Sequence, residues 1–286
     1  MHVARFVRAA APNGRDIPGL IWMAFMTLWL IAPDGWAQQT YFPEKDLSHF
    51  LCYTFTTGGA VPGTPSFTDQ WNTKEIVATT ISYLCNPTDK TPDVVGKQPF
   101  TFKRENPDEH LVCYLTTTLP NKKRVQILNQ FTSDPKHPRV LDVENSTLAC
   151  VPSTKSKGSG NTSPPDPPPL EQLKNLSHFL CYNIKHDSVN FKQITVQDQF
   201  MQKPMKISIN LSPSLLCNPA DKKRPDKAEQ PRLHPEAHLV CYDVKMPPDL
   251  SLPQVRIRNQ FEETKPTAPG ALYRLCVPSL KYTVDP

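Results

Sequence analysis

The 286-residue chain sets 32 Lys and Arg against 27 Asp and Glu, a net charge of +5, and contains 32 prolines, 10 glycines and 8 cysteines. Prolines at this frequency exclude long helices over most of the chain. The modest charge gives no reason to expect a nucleic-acid partner, and an even cysteine count points to a disulfide framework if the chain is exported.

The N-terminus reads as an export signal. Arg5, Arg8 and Arg15 precede an apolar run from Leu20 to Ala32, then the helix-breaking Pro33 and Gly35-Trp36-Ala37, which has small residues at the outer two positions of a cleavage site. The run is too short to span a bilayer comfortably. The expectation is a signal peptide over 1–37, a mature chain from Gln38, no membrane span after its removal, and a secreted protein, periplasmic or extracellular; a retained anchor is the competing reading.

Past the signal the same plan occurs four times. H-x-x-C-Y stands at His49–Tyr53, His110–Tyr114, His178–Tyr182 and His238–Tyr242. A central marker, Asp or Asn, then Gln, then an aromatic, stands at Asp69-Gln70-Trp71, Asn129-Gln130-Phe131, Asp198-Gln199-Phe200 and Asn259-Gln260-Phe261. A second cysteine in C-[NV]-P closes each unit, and all eight cysteines, Cys52, Cys85, Cys113, Cys150, Cys181, Cys217, Cys241 and Cys276, belong to this plan. Units one and three carry Asp and end in Cys-Asn-Pro; units two and four carry Asn and end in Cys-Val-Pro-Ser. The alternation A, B, A, B suggests that an A-plus-B pair of about 110 residues, the size of a small domain, is the folding module. Two modules follow, 44–156 and 176–284, joined by a Gly/Ser/Pro linker at 157–175 that acts as a short tether.

Cysteines at regular spacing in an exported chain pair most simply within units, as Cys52–Cys85, Cys113–Cys150, Cys181–Cys217 and Cys241–Cys276. If the halves of a module exchange strands, Cys52–Cys150 with Cys85–Cys113 is the alternative. Alternating apolar and polar residues in Val125-Gln126-Ile127, Ile194-Thr195-Val196-Gln197, Met205–Leu211 and Val255-Arg256-Ile257-Arg258 predict strands. The fold class is therefore all-β: two tandem disulfide-stapled modules, each a pseudo-twofold barrel or sandwich of about six strands.

The H-x-x-C-Y, D-Q-F and L-C-x-P-x-x-K elements together resemble a family of uncharacterised secreted domains, mostly bacterial, over Leu47 to Lys155 and Leu176 to Lys281. The resemblance implies the domain boundaries and a disulfide-rich β fold, and it lends no catalytic residues. Trp71 departs from the Phe of the other units, as does the Gly- and Pro-rich stretch from Gly58 to Ser66.

Metal and catalytic chemistry find little footing. In an extended strand His49 and Cys52, three apart, point to opposite faces, and a disulfide sulfur is no thiolate ligand, so no metal or other cofactor is expected. An Asp or Asn ahead of an aromatic most often fixes a turn through its side chain. The only motif carboxylates, Asp69 and Asp198, become Asn in the B units, and no G-x-S-x-G elbow is present. An enzyme is not expected; the competing reading is a secreted hydrolase using Asp69 and Asp198, which replacement of both by Asn would abolish while leaving the fold intact. Binding residues are sought where the units differ, in the loops at 91–106 and 223–234: Phe100, Phe102, Lys103, Arg104, Lys223, Arg224 and Arg232. The sequence thus points to a secreted structural or binding module, with an envelope polysaccharide or another surface protein as its partner.

Overall fold

The computed structural model describes residues 47–284 except 57–60, 62, 64, 93–102, 105, 133–137, 160–161, 174, 186–189, 225–226 and 246–249. The expected signal segment, Phe100 and Phe102 lie outside the described residues. The first unit contributes β1 (His49–Thr54), β2 (Ser66–Thr68) and β3 (Ile76–Pro92); the second, β4 (His110–Thr116), β5 (Lys123–Leu128) and β6 (Arg139–Lys157). The third contributes β7 (His178–Ile184), β8 (Phe191–Gln197), β9 (Met205–Arg224) and the short β10 (Lys227–Gln230); the fourth, β11 (His238–Lys245), β12 (Val255–Asn259) and β13 (Leu272–Thr283). Among the described residues the only helical element is one 3-10 turn, Leu170–Gln172, so the all-β expectation holds.

Every unit makes a hairpin from its H-x-x-C-Y strand and its C-[NV]-P strand, and the four hairpins close into a ring. β1 pairs with β3, β3 with β4, β4 with β6, β6 with β7, β7 with β9, β9 with β11, β11 with β13, and β13 returns to β1, all antiparallel. An eight-stranded barrel is just wide enough for side chains to fill it, and closure removes the exposed edges that an open sheet would carry. Side chains alternate across its wall. Phe50, Leu111, Phe179 and Leu239 turn inward together with all eight cysteines. Leu51, Tyr53, Val112, Tyr114, Leu180, Tyr182, Val240 and Tyr242 turn outward into a second apolar layer. That is why H-x-x-C-Y is apolar on both faces: its strand is covered on both.

The covering layer comes from the middle strands and from the far ends of the long third strands, which run 17, 19 and 20 residues in β3, β6 and β9. These ends cross to the diagonally opposite unit. The end of β3 pairs with β8 (Asp89 opposite Gln197), and the end of β9 pairs with β2 (Asp221 opposite Thr68). The end of β6 pairs with β12 (Thr154 opposite Arg258), and the end of β13 pairs with β5 (Leu280 opposite Leu128). A units exchange tails with A units and B units with B units.

This topology corrects the expectation of two tandem modules. The first-half strand β6 pairs with the second-half strand β7, β1 pairs with β13, and each tail is shared between halves, so the four units build one barrel rather than two. The intervening segment is no free tether either. Thr154 Oγ donates a hydrogen bond of 2.6 Å to the Pro168 carbonyl, Ser156 Oγ donates to that of Pro165, and Arg256 pairs with Asp166, which lays the Pro-rich stretch along the end of β6 and β12. Proline fits there because it fixes an extended backbone and brings no N–H needing a partner.

The disulfides are Cys52–Cys85, Cys113–Cys150, Cys181–Cys217 and Cys241–Cys276, the within-unit pairing. Each joins residues directly opposite one another in its hairpin. Four disulfides belong outside the reducing cytoplasm. Among the described residues no helix is long and apolar enough to cross a membrane.

Candidate functional site

The central markers are turns, as their composition predicts. The side-chain oxygen of the first residue accepts the backbone N–H of the aromatic two positions on: Asp69 from Trp71, Asn129 from Phe131 and Asp198 from Phe200 at 2.9 Å, and Asn259 from Phe261 at 2.8 Å. What the sequence does not disclose is the partner across the barrel. Tyr53 donates its hydroxyl to Asp198 at 2.9 Å and Tyr182 does the same to Asp69. Asn259 donates its amide to the Tyr114 hydroxyl at 2.7 Å and Asn129 to that of Tyr242 at 3.0 Å. The same tyrosines meet the marker aromatics edge to face, with centroids 5.0 to 5.5 Å apart.

The A/B alternation has a chemical cause. In the A units Asn86 donates its amide to Asp198 and Asn218 to Asp69, both at 2.8 Å, so Cys-Asn-Pro is matched to a carboxylate acceptor. In the B units the valine of Cys-Val-Pro offers no donor, and the marker Asn129 instead donates to Ser279 Oγ at 2.9 Å. The expectation that Asp69 and Asp198 can become Asn without harm is therefore corrected: an amide nitrogen there would face another amide nitrogen. Both carboxylates are buried, and each holds a turn, a tyrosine and an asparagine at once.

Lysines complete the network, each over the aromatic of the next unit. Lys90 lies 4.6 Å from the Phe131 ring centre, Lys155 4.1 Å from that of Phe200, Lys222 5.5 Å from that of Phe261, and Lys281 4.0 Å from Trp71. Lys155 donates to Asn86 Oδ1 at 2.6 Å and Lys281 to Asn218 Oδ1 at 2.7 Å. Burial pushes both ammonium groups down to about 7, against the opposing pull of Asp198 on Lys155 and of Asp69 on Lys281. Burial, reinforced by the neighbouring carboxylate, raises the Tyr53 and Tyr182 hydroxyls far above their usual range.

The four histidines occupy the outer face of the barrel wall, opposite the cysteines, as alternation requires. His49 Nε2 lies 2.7 Å from Gln130 Nε2. Burial drives His178 down to about 3, with Lys222 adding to it, and drives His49, His110 and His238 well below the ordinary imidazole range. Among the described residues no group of three metal-ligating side chains gathers.

Of the binding residues sought in the sequence, the described ones are Lys103, Arg104, Lys223 and Arg232, and the two arginines are held in ion pairs. Arg104 donates its backbone N–H to Asp89 at 2.8 Å and sets its guanidinium 3.6 Å from the same carboxylate; Arg232 does likewise with Asp221, at 2.8 and 3.0 Å. These are symmetry-related clasps that close the A-to-B connections. Lys103 is exposed, Lys223 sits 3.5 Å from Glu75 at the surface, and the Arg224 side chain lies outside the described residues.

The barrel's fourfold regularity breaks at one mouth. Two positions before the second cysteine, units two and three place Leu148 and Leu215, whereas units one and four place Tyr83 and Arg274. All four line the inside of the wall. Tyr83 stacks on Tyr273 with centroids 5.5 Å apart, and the Arg274 guanidinium lies over both rings at 5.3 and 4.5 Å. Arg274 donates through Nε to Asp243 at 3.1 Å and to Ser214 Oγ at 3.2 Å, while Tyr273 remains 39% exposed. Sequence reasoning passed over this group, although comparing the residues two before each second cysteine would have exposed it.

Compared with protein-family models, curated proteins and solved structures, the chain matches none.

Proposed function

We propose that the protein is a secreted, non-catalytic binding module of the cell envelope or extracellular space, a disulfide-stapled barrel that meets an envelope polysaccharide through the Tyr83–Tyr273–Arg274 mouth. The observation that carries this reading is the break in symmetry. The Asp and Asn of the central markers and the motif tyrosines are bonded from one unit to another, whereas Tyr83, Tyr273, Arg274 and Asp243 have no counterpart in the other units and leave an aromatic surface beside a charged pair. Stacked tyrosines present apolar ring faces to the C–H faces of a sugar, and a guanidinium and a carboxylate supply the hydrogen bonds that orient hydroxyls. The hydrolase reading draws no such support, since Asp69 and Asp198 are buried and bonded as structural acceptors.

The test is retention of the exported, oxidised protein on insoluble envelope polysaccharides, with Tyr273→Ala as comparison. Loss of one stacking ring should weaken retention roughly tenfold, the equivalent of about 1.4 kcal/mol, without altering the far-UV spectrum. Retention indifferent to Tyr273→Ala, or no retention on any envelope fraction, rejects this surface.

A further inference from the structure

The eight cysteines stand in a ring on the inside of one barrel, and each disulfide is flanked by two others. Across the seams between hairpins the sulfurs are almost as well placed as within them: Cys52 Sγ lies 3.8 Å from Cys276 Sγ, Cys85 Sγ 4.0 Å from Cys113 Sγ, and Cys150 Sγ 3.9 Å from Cys181 Sγ. The fourth seam has the same offset, with Cys217 opposite Leu239 and Leu215 opposite Cys241. All eight are buried, none more than 6% exposed, around a cavity of about 20 Å³. A space that size has little room for any reactant other than the sulfurs themselves.

We propose that this ring is a thiol–disulfide exchange relay with two complete pairings, one within hairpins and one between them. A single opened bridge is enough to start it, with a small thiol reductant as the co-reactant that reaches one disulfide in the native chain when a hairpin opens locally; once the barrel has closed again every later step is internal. A thiolate at Cys85 attacks Cys113 Sγ; the Cys85–Cys113 bond forms, the Cys113–Cys150 bond breaks, and Cys150 leaves as thiolate beside Cys181. The same substitution then releases Cys217 and, across the fourth seam, Cys276. A thiolate starting at Cys52 travels the other way, releasing Cys241, Cys181 and Cys113 in turn. Each step forms one S–S bond, breaks one and passes on one negative charge, so no further oxidant or reductant is consumed. The between-hairpin pairing fastens the barrel around its circumference, whereas the within-hairpin pairing fastens each unit to itself.

The relay predicts where a lone thiol will be found. In the oxidised Cys85→Ser variant, held at pH 8, acid-quenched, unfolded and alkylated, label should appear at Cys52, Cys241, Cys181 and Cys113, all in H-x-x-C-Y, and at none of Cys150, Cys217 and Cys276. Cys52→Ser should give the complementary set, Cys85, Cys150, Cys217 and Cys276. Label confined to the original partner, Cys52 or Cys85, overturns the relay, and label at both classes in one variant shows random scrambling and overturns it too. Should either variant fail to fold, the wild-type chain given less than one equivalent of reductant per molecule and trapped in the same way must yield peptides linked Cys85–Cys113, Cys150–Cys181 or Cys52–Cys276. Their absence from singly reduced protein refutes the proposal.

Discussion

Acidification from pH 7.5 to pH 5 should lower the stability of the folded protein through the four buried histidines of the repeated motif. A group whose folded pKa is depressed below its unfolded value contributes stability that is present above the unfolded pKa and lost as pH falls. For His178, near 3 when folded and about 6.5 when unfolded, the loss at pH 5 is about 1.5 pH units, or about 2 kcal/mol. His49, His110 and His238 are shifted in the same direction by burial and add to the loss with the same sign. The share of His178 alone is already appreciable beside the roughly 5–15 kcal/mol that holds a domain folded. Urea titration of the oxidised protein, followed by far-UV circular dichroism, should show the midpoint falling steadily below pH 6.5, with unfolding taking up protons near pH 5. His178→Gln should lower that uptake by about one proton. A midpoint that stays level from pH 7.5 to pH 5 would refute the reasoning, since it would mean that the imidazoles charge inside the fold without penalty.

On the alkaline side the sign is the same: Lys155 and Lys281, near 7 when folded, bind fewer protons than in the unfolded chain, so stability should rise by about 2 kcal/mol for each between pH 7 and 9. Above about pH 10 the raised tyrosines take it back, and thermal melting across pH should place the maximum near pH 10. Asp198→Asn should cost about 2 kcal/mol by turning an amide toward the donated amide of Asn86, and adding Asn86→Val, the B-unit solution, should recover part of that loss in the melting temperature. Replacing Cys113 and Cys150 with Ala and Val opens a loop of sequence separation 37 and should cost roughly 3–4 kcal/mol by the chain-entropy estimate, measured as a fall in the urea midpoint.

The parts of the fold legible in the sequence are those fixed by local spacing. Strand alternation located β5, β8 and β12; the Asp or Asn before an aromatic located the four turns; and cysteine spacing supplied a within-unit pairing that the structure contains. Partners across the barrel were not legible, because four near-identical copies leave every cross-unit assignment equivalent in one sequence. The alternation of units was visible, but its direction was misread. Asp198 needs Asn86, and Asn129 needs Ser279, so the residues that distinguish A from B complement like units across the barrel rather than the two units of one half. Arg104 and Arg232 were sought as binding residues because their loops differ between the units, yet both close those loops as matching clasps, whereas Arg274 hides inside a strand whose period it respects.

The diagonal exchange of strand ends also bears on how many chains such a barrel needs. Each unit gives its tail to the unit two places on and receives one in return, so neither half can satisfy its own middle strands. Cut between Lys157 and Leu176, the halves have their missing partners only in another copy, and two first halves would stand in for the whole by giving A to A and B to B. Within one covalent chain the four units are thus interlocked as the protomers of a closed oligomer would be, each completed by a strand end that it does not itself supply.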